Sequence, residues 1–322
     1  MIKRILLITI LSLSSTSLFA QALPWQIQLP NSEAEALLEA YFAPAGYAIG
    51  SAINNGWFHT AKPHKLGGFD ISLSVNTIIV PNIGKSFDIN TLQNFGSSST
   101  EASTFLGNSI ATPAYYNTID VNGNLIAMNF DMPPGNKQNF IPMPLLQVGV
   151  GLIKGTEIDL RYVPPQKMYG AAKIGLYGFG MKHDILQWLP MVDKIPIDFS
   201  VQAGYTNLDA AVVVENEGIN MNIQSTTINF IMSKEILMIT PYLGMGYNSS
   251  STTIDLENDQ EYIIGNTLVI NSNEIFPLKF DSKTEFRTTL GFRWDITILA
   301  IQANYTFAEY PVATVGIGVT VR

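Results

Sequence analysis

The chain has 322 residues, a formal net charge of −8 and no cysteine. Hydrophobic residues make up 47% of the sequence and charged residues only 14%, whereas soluble domains contain roughly 25% charged residues. These values exclude disulfides, thiolate metal sites and a cysteine nucleophile, and they argue against a nucleic-acid partner, which binds basic surfaces.

The first twenty residues have the features of a secretory signal peptide. Lys3 and Arg4 form a basic start, residues 5–13 are apolar, and Ala20 ends a short cleavage motif. We therefore predict that residues 1–20 are removed on export, and we exclude them from the fold. Further along the chain no stretch reaches the ~18 unbroken apolar residues of a transmembrane helix.

Residues 31–43 are predicted to form a short amphipathic helix. Ser32 and Glu35 have the spacing of a capping box, and apolar residues recur at helical intervals. Pro44 is predicted to end the helix. A block rich in aromatic residues, Gly and Pro follows and leads to the first strand. The apolar stripe of the helix consists of Ala34, Leu37, Leu38 and Tyr41.

From Phe69 to the end, the chain alternates apolar and polar residues in ten runs. Side chains of a strand point alternately to opposite faces, so each run has one apolar and one polar face. Runs of about 10 residues are long enough for a tilted strand to cross a hydrocarbon layer of ~30 Å. In the last three strands, the set predicted to face lipid is Phe286, Leu290, Phe292, Ile301, Tyr305, Ile317 and Val319.

Alternation alone does not distinguish a membrane barrel from a secreted sandwich, which buries an apolar face between two sheets. The connection lengths favour the barrel, because short turns alternate with long ones, as in outer-membrane proteins. The short turns are 154–155, the segment around Trp188, 234–235 and 296–297, and the long polar connections include 82–144, 207–218 and 248–282.

We therefore predict an all-β fold, an antiparallel up-and-down transmembrane β-barrel of about ten strands, with 12–14 strands as alternatives. The barrel spans residues 66–322, with 82–144 and 248–282 as extracellular loops. Residues 21–65 are predicted to form either a plug in the lumen or a cap at the periplasmic end. A meander of ten strands places this N-terminal segment on the short-turn side.

Several motifs resemble a known family. They are Asn54-Asn55-Gly56-Trp57, Thr60-Ala61-Lys62-Pro63-His64-Lys65, Gly68-Phe69-Asp70, Lys154-Gly155-Thr156-Glu157, Arg161-Tyr162 and residues 178–184. Over most of the mature chain they resemble an uncharacterised family of Gram-negative outer-membrane barrels. More distantly, a helix before a barrel is similar to the long-chain fatty-acid transporter superfamily, whose fourteen-stranded barrels are plugged by their N-terminus. The resemblance implies a Gram-negative outer membrane, with its lipid and the barrel assembly machinery as partners, and no cofactor.

Seven charged residues are predicted to point into the lumen. They are Asp70, Glu157, Asp159, Arg161, Glu285, Arg287 and Arg293. One interpretation is that they pair with each other and fill a narrow lumen, as in small barrels. The other is that they form a selectivity lining or support the plug.

Aromatic and apolar residues of the N-terminal segment are candidates for contact with an apolar ligand, although packing of the plug explains them equally well. They are Leu38, Tyr41, Phe42, Trp57 and Phe58.

Histidine gives little support for a metal site or an enzyme. His59 and His64 are five residues apart, which is poor ligand spacing outside a helix. His183 precedes Asp184, but no serine is placed with them. We therefore predict no metal site and no catalytic site.

Three functions remain in order of preference. The first is porin-like binding or passage of a small apolar compound through a plugged lumen. The second is a structural or surface-interaction barrel that uses its long loops, and the last is a hydrolase. An apolar pocket between plug and wall favours the first, and a packed, ion-paired lumen favours the second.

Overall fold

The computed structural model describes residues 27–120, 122–168, 172–188, 196–214, 217–256, 261–264 and 268–321. The predicted signal peptide lies outside these residues. Within them, ten antiparallel strands form a closed barrel: β1 (Phe69–Ile79), β2 (Phe140–Gly151), β3 (Thr156–Met168), β4 (Ala172–Asp184), β5 (Asp198–Val214), β6 (Glu217–Ser233), β7 (Ile239–Leu256), β8 (Glu285–Ile296), β9 (Leu299–Phe307) and β10 (Val312–Val321).

Each strand pairs with the next, and β10 pairs with β1 from Val312 opposite Ile78 to Val321 opposite Phe69. This last pairing closes the sheet, so no edge strand is left in the barrel. The predicted fold class and the count of ten strands are confirmed. We call the end with the turns 152–155, 234–238 and 297–298 the short-turn end, and the opposite end the long-loop end.

Apolar side chains cover the outer wall of the barrel. On β10, Val315 and Ile317 are 62% and 58% exposed, whereas Thr314, on the opposite face of the strand, is buried. The same alternation runs through β8 and β9, where Leu290 is half exposed and Thr289 is buried. The predicted outward face is therefore confirmed, and its apolar surface suits contact with lipid.

β5, β6 and β7 are taller than a membrane span requires, at 17, 17 and 18 residues, since about 9–11 tilted residues cross the hydrocarbon layer. The prediction of a polar loop at 207–218 is wrong, because β5 and β6 stay paired up to Val214 and Glu217. Their polar residues lie on the outer face, where Asn222 donates to Asp209 at 2.6 Å. That polar outer face indicates where the wall rises above the lipid.

One long helix, α1 (Asn31–Asn54), runs inside the barrel. Its 24 residues span about 36 Å. The predicted end at Pro44 is wrong, and so is the capping box, because Pro30 stands at the N-cap and no side chain caps the helix. Within the described residues, no helix combines the length and the apolar character needed to cross a membrane.

The helix continues past Pro44 because small residues fit its second half against the wall. A Cβ atom at Gly46 would lie 2.5 Å from Oγ1 of Thr252, and one at Gly50 would collide with Ser250. The packing of this small-residue face, including the fully buried Ala48 and Ala52, offsets the hydrogen bond that proline removes.

The helix enters the barrel from the long-loop end. Ile27–Gln28 pairs with Leu268 and Val269, and Asn31 donates to Glu274 at 2.8 Å, all in the connection between β7 and β8. The prediction that the N-terminal segment lies on the short-turn side is therefore wrong for residues 27–43. Only residues 55–68, which follow the helix, reach that end. The chain thus passes through the lumen before it begins β1.

The connection between β1 and β2 is a folded lobe, which we call the loop lobe (residues 82–139). Its strands are Ser86–Asp88, Phe95–Gly96, Glu101–Ser103, Thr112–Ile119 and Leu125–Met132. The last two form a hairpin around Asn122-Gly123. The lobe packs on the first half of α1 through a buried cluster that includes Leu37, Tyr41, Phe95 and Phe130.

Candidate functional site

The C-terminal end of α1 lies inside the barrel, where arginines from two strands bind its carbonyl groups. Arg161 of β3 donates to the carbonyls of Ile53 and Asn55 at 2.8 Å each, and Arg287 of β8 donates to that of Asn54 at 3.0 Å. The last carbonyls of a helix have no intrahelical partner, so they need such donors when they are buried. These two predicted lumen residues therefore hold the helix rather than each other.

Two uncharged side chains complete the cap, and the sequence analysis did not single them out. Asn76 of β1 donates to the carbonyls of Ala52 at 2.7 Å and Asn55 at 3.0 Å. Thr206 of β5 donates to Ile53 at 3.2 Å. Their signal in the sequence was only the polar phase of a strand, which does not tell a capping residue from any other inward residue.

Trp57 fills a hollow made by glycines of the wall. Its ring is almost fully buried, and a Cβ atom would lie 2.7 Å from it at Gly180 and 2.6 Å from it at Gly204. The guanidinium carbon of Arg161 lies 3.7 Å from the ring centroid, which adds a cation–π contact in a dry environment. Trp57 therefore fixes residues 55–65 against β3, β4 and β5.

Phe58 occupies a similar hollow on the other side. A Cβ atom at Gly244 of β7 would collide with its ring. The ring meets Tyr242 edge-on, with 5.9 Å between centroids. Two neighbouring aromatic residues thus dock on strands at different places around the barrel.

A cluster of histidine and carboxylate side chains lies at the short-turn end. Asp70 of β1 is 3.2 Å from Nε2 of His64 and 3.5 Å from Nε2 of His59. All three side chains are buried. The five-residue spacing that argued against a common site is therefore misleading, since the chain folds back within residues 59–70 and brings both rings to one carboxylate.

Glu157 joins this cluster through two contacts. Its Oε1 forms an ion pair with Nζ of Lys182 at 2.8 Å, and its Oε2 accepts a hydrogen bond from the backbone N–H of His64 at 2.7 Å. Asp159, two residues along the same strand, accepts from Gln147 at 3.1 Å. The sequence analysis missed Lys182, although it lies within the motif at 178–184.

The remaining predicted lumen charges lie apart from one another. Arg293 is buried at the short-turn end and donates to Asp295 at 2.7 Å and to Thr320. Glu285 lies at the long-loop end, where it accepts the backbone N–H of Glu309. The seven charges are thus divided between helix cap, carboxylate cluster and rim.

His183 lies outside the cluster, at the end of β4 beside the turn to β5. Its Nδ1 is 2.9 Å from Oγ1 of Thr156, and its Nε2 accepts from Nε1 of Trp188 at 2.9 Å. These contacts explain the residue as part of the turn. The absence of catalysis stays a prediction.

The apolar candidates of the N-terminal segment pack against protein. Leu38, Tyr41 and Phe42 contact the loop lobe and its surroundings, and Tyr41 donates to the carbonyl of Pro134 at 2.8 Å. None of the five candidates lines the cavity that lies along β3 to β7. Their contact with a ligand stays a prediction.

A cavity of about 520 Å³ lies along β3 to β7 towards the long-loop end. Its lining is mostly apolar, with a few charged and amide groups. It consists of Tyr162, Val163, Pro165, Lys173, Gly175, Leu176, Tyr177, Asp209, Ala210, Ala211, Asn220, Met221, Asn222, Thr253 and Asp255. Near it the pairing of β3 with β4 is irregular between Ile174 and Leu176, next to Pro164-Pro165, since proline cannot donate to the ladder.

The profile of a family of unknown function, DUF6588, matches residues 1–321 of the chain. The chain belongs to this family. The uncharacterised barrel family expected from the sequence motifs is thus confirmed. No curated protein sequence matches this member of DUF6588 significantly.

Several solved structures are similar to this DUF6588 chain at low identity. Neisserial surface protein A is 10% identical with a TM-score of 0.28, covering 79% of this chain and 96% of that one. The outer membrane protease OmpT from Escherichia coli is 7% identical with a TM-score of 0.36, covering 83% and 100%. The TodX monoaromatic hydrocarbon channel, as a deltaS2 mutant, is 11% identical with a TM-score of 0.26, covering 80% and 67%. Because these TM-scores are below 0.5, the strand pairing itself establishes the fold.

Proposed function

We propose that the protein is a Gram-negative outer-membrane barrel that binds a small apolar compound in the cavity along β3 to β7. The cavity is supported as a binding site by its size, since ligand pockets commonly enclose about 300–1,000 Å³. Its polar groups include Asp209 and Asn222 on the outer face of the wall, so the cavity reaches that face, and these groups would orient a compound that apolar contacts hold.

The observation that carries this proposal is that the cavity and α1 share their wall residues. Val163, Leu176, Ala210 and Met221 line the cavity and also belong to the apolar cluster around Ile53 of α1. A compound in the cavity would therefore press on the same side chains that hold the helix. Binding and the position of the plug are coupled in this arrangement.

The N-terminal segment acts as the plug in this proposal. Residues 45–65 are mostly buried and contact inward-facing side chains on several strands around the barrel. Release of the compound towards the short-turn end would require residues 55–65 to move. The loop lobe closes the other end over the first half of α1.

Binding is tested with a fluorescent naphthylamine on the protein in lipid nanodiscs, with empty nanodiscs as the blank. Ala210→Trp fills the cavity and is expected to weaken binding at least about tenfold, since a blocked pocket loses most of its apolar contact. Leu290→Trp, on the outer wall away from the cavity, is the matched control. Equal binding by the two variants would refute the site.

Gating by the plug is tested with an engineered cross-link, because the chain contains no cysteine of its own. The hydroxyl oxygens of Thr60 and Ser233 are 3.2 Å apart, so Thr60→Cys with Ser233→Cys joins residues 55–65 to β6. Oxidation is expected to lower uptake of the naphthylamine into proteoliposomes, and reduction to restore it. Unchanged uptake on oxidation would show that this segment stays in place during passage.

A second candidate is a surface-interaction barrel, favoured by apolar residues on the loop lobe. Ile119 and Leu125 face each other next to the hairpin turn and are 65% and 76% exposed. Exposed apolar residues at one tip suit contact with another protein or surface. The double variant Ile119→Ser with Leu125→Ser should abolish adhesion of expressing cells to a surface and leave naphthylamine binding unchanged. Adhesion that persists in this variant would exclude this role for the tip.

A further inference from the structure

The cluster at the short-turn end holds more carboxylate than its contacts neutralise. Asp70, Glu157 and Asp159 are each 1–2% exposed. Of these, Glu157 has an ion pair with Lys182, at 2.8 Å. Arg161 is nearby, but its described hydrogen bonds go to Gln147 and to the helix carbonyls. Buried carboxylates normally have a cation or a metal ion as partner.

The carboxylate oxygens converge on a space that a glycine leaves free. A Cβ atom at Gly149 would collide with Oδ1 of Asp70 and would lie 2.9 Å from Oδ1 of Asp159 and 3.4 Å from Oε1 of Glu157. Any other residue at this position would therefore separate the three groups.

His59 supplies a separate observation. Its side chain is 3% exposed, and neither ring nitrogen has a hydrogen-bond partner among the described residues, although Nε2 points to Asp70 at 3.5 Å. Oδ2 of Asp159 is also buried without a hydrogen bond in this part of the chain. A buried imidazole whose nitrogens make no hydrogen bond is costly unless it binds something.

We propose that His64, Asp70 and Glu157 bind one divalent transition-metal ion such as Zn²⁺, with His59 as a fourth ligand once its ring moves closer to the ion. A tetrahedral ion with bonds of about 2.0–2.1 Å places its ligand atoms about 3.3–3.4 Å apart. Nε2 of His64 lies 3.2 Å from Oδ1 of Asp70, and Nε2 of His59 lies 3.5 Å from the other oxygen, Oδ2. The donor atoms of His64, Asp70 and Glu157 all lie within 4.8 Å of one another.

The ligand types and an access route fit this ion. Imidazole nitrogen with carboxylate oxygen suits Zn²⁺ and its neighbours, whereas Ca²⁺ and Mg²⁺ prefer oxygen alone. A second cavity, of about 210 Å³, is lined by Thr60, His64, Lys65 and Arg293 at the short-turn end. It gives an ion a path to His64 from that side of the barrel.

The site would fasten the plug. His59 and His64 belong to the segment that follows α1, and Asp70 and Glu157 belong to β1 and β3. An ion bound between them therefore ties residues 59–64 to the wall. Such a tie acts at the short-turn end, whereas the cavity along β3 to β7 lies towards the long-loop end, so metal binding can be measured without the apolar compound.

The test uses the untagged mature protein in detergent micelles after chelator treatment. Zn²⁺ alone is titrated by calorimetry, and Co²⁺ alone is followed by visible absorption. We expect one saturable site, the bands of tetrahedral Co²⁺, and a higher melting temperature with Zn²⁺. His59→Gln and His64→Gln should each weaken binding by about 10–100-fold or more, and His183→Gln should change it less than twofold.

Absence of saturable binding to the wild-type protein would overturn the proposal. So would binding that His183→Gln removes and His64→Gln preserves, because that outcome locates the ion at the end of β4. If His59→Gln and His64→Gln fail to fold, X-ray absorption of Zn²⁺-bound His183→Gln decides the matter. Two imidazole ligands support the site, and fewer than two refute it.

Discussion

Arg161 and Ile53 are joined by a hydrogen bond of 2.8 Å from the guanidinium of the arginine to the backbone carbonyl of the isoleucine. Arg287 donates to the next carbonyl from β8, five strands away in a ring of ten. The two arginines therefore hold the end of α1 from opposite walls. The last turn of α1 has no basic residue of its own, so the barrel supplies the cations that the negative end of a helix favours.

Removing either arginine should destabilise the protein. Arg161→Ala leaves the carbonyls of Ile53 and Asn55 without their charged donor, and a buried polar group that loses its partner costs about 1–3 kcal/mol. We expect a lower urea midpoint for Arg161→Ala and Arg287→Ala, measured by the gel-mobility shift of the folded barrel. Lys234→Ala, at an exposed turn, is the control, and an equal midpoint for all three would contradict the role.

The fit of Trp57 against the wall predicts a compensating pair of mutations. Gly204→Ala brings a methyl group to 2.6 Å from the ring and should destabilise the barrel by about 1–3 kcal/mol through overpacking. In a Trp57→Ala background the same change should cost little, because the ring is gone. Contacting residues show coupling of about 0.5–3 kcal/mol in such cycles. If the midpoint shifts of the two single variants simply added up in the double variant, the ring of Trp57 would not contact Gly204.

The barrel could be predicted from the sequence because its signals are local. Alternation with a period of two fixes which face of β8, β9 and β10 points outward, and short turns such as 154–155 fix the order of strands. The prediction of a polar loop at 207–218 is wrong for the same reason. The composition of these residues resembles a loop, and only the pairing of Val214 with Glu217 shows a strand.

The interior could not be predicted, because it depends on residues that are far apart in the chain. In the sequence Gly50 indicates a break in the helix, whereas in the structure it lets the helix approach Ser250 closely. Asn76 looks like any other polar strand residue in the sequence, whereas in the structure it donates to the carbonyl of Ala52. The convergence of His59 and His64 on one carboxylate likewise depends on a reversal of the chain, which spacing along the sequence does not reveal.

The path of α1 predicts where the start of the mature chain is accessible. If the long-loop end is extracellular, an epitope placed directly before Ile27 should bind antibody on intact cells, because residues 27–28 pair with the connection between β7 and β8. An epitope inserted at Leu66, which is exposed at the short-turn end, should bind only after permeabilisation. If both epitopes bound antibody only after permeabilisation, the segment would not pass through the lumen, and the reverse result would mean that the short-turn end is extracellular.

The lumen is too tightly packed for an inward residue to serve as a control when the lipid-facing side of the wall is tested. Thr289, the inward neighbour of Leu290, is 2% exposed and its hydroxyl is 2.8 Å from that of Thr306. An arginine there would be overpacked and would destabilise the barrel for a reason unrelated to lipid. A control therefore belongs on the outer wall, beyond the apolar band.

Leu290→Arg should destabilise the barrel, and Gln224→Arg should not. Leu290 is half exposed on the outer wall and lies opposite Leu243 and Tyr305 on its neighbouring strands. A charge in the middle of that band costs about 2–4 kcal/mol in a bilayer, falling towards zero at the interface. Gln224 is also outward, but it lies beside Asn222 in the polar part of β6. The measurement is the urea midpoint of each variant refolded into lipid vesicles. Equal midpoints would mean that the apolar band is not the surface that contacts the hydrocarbon.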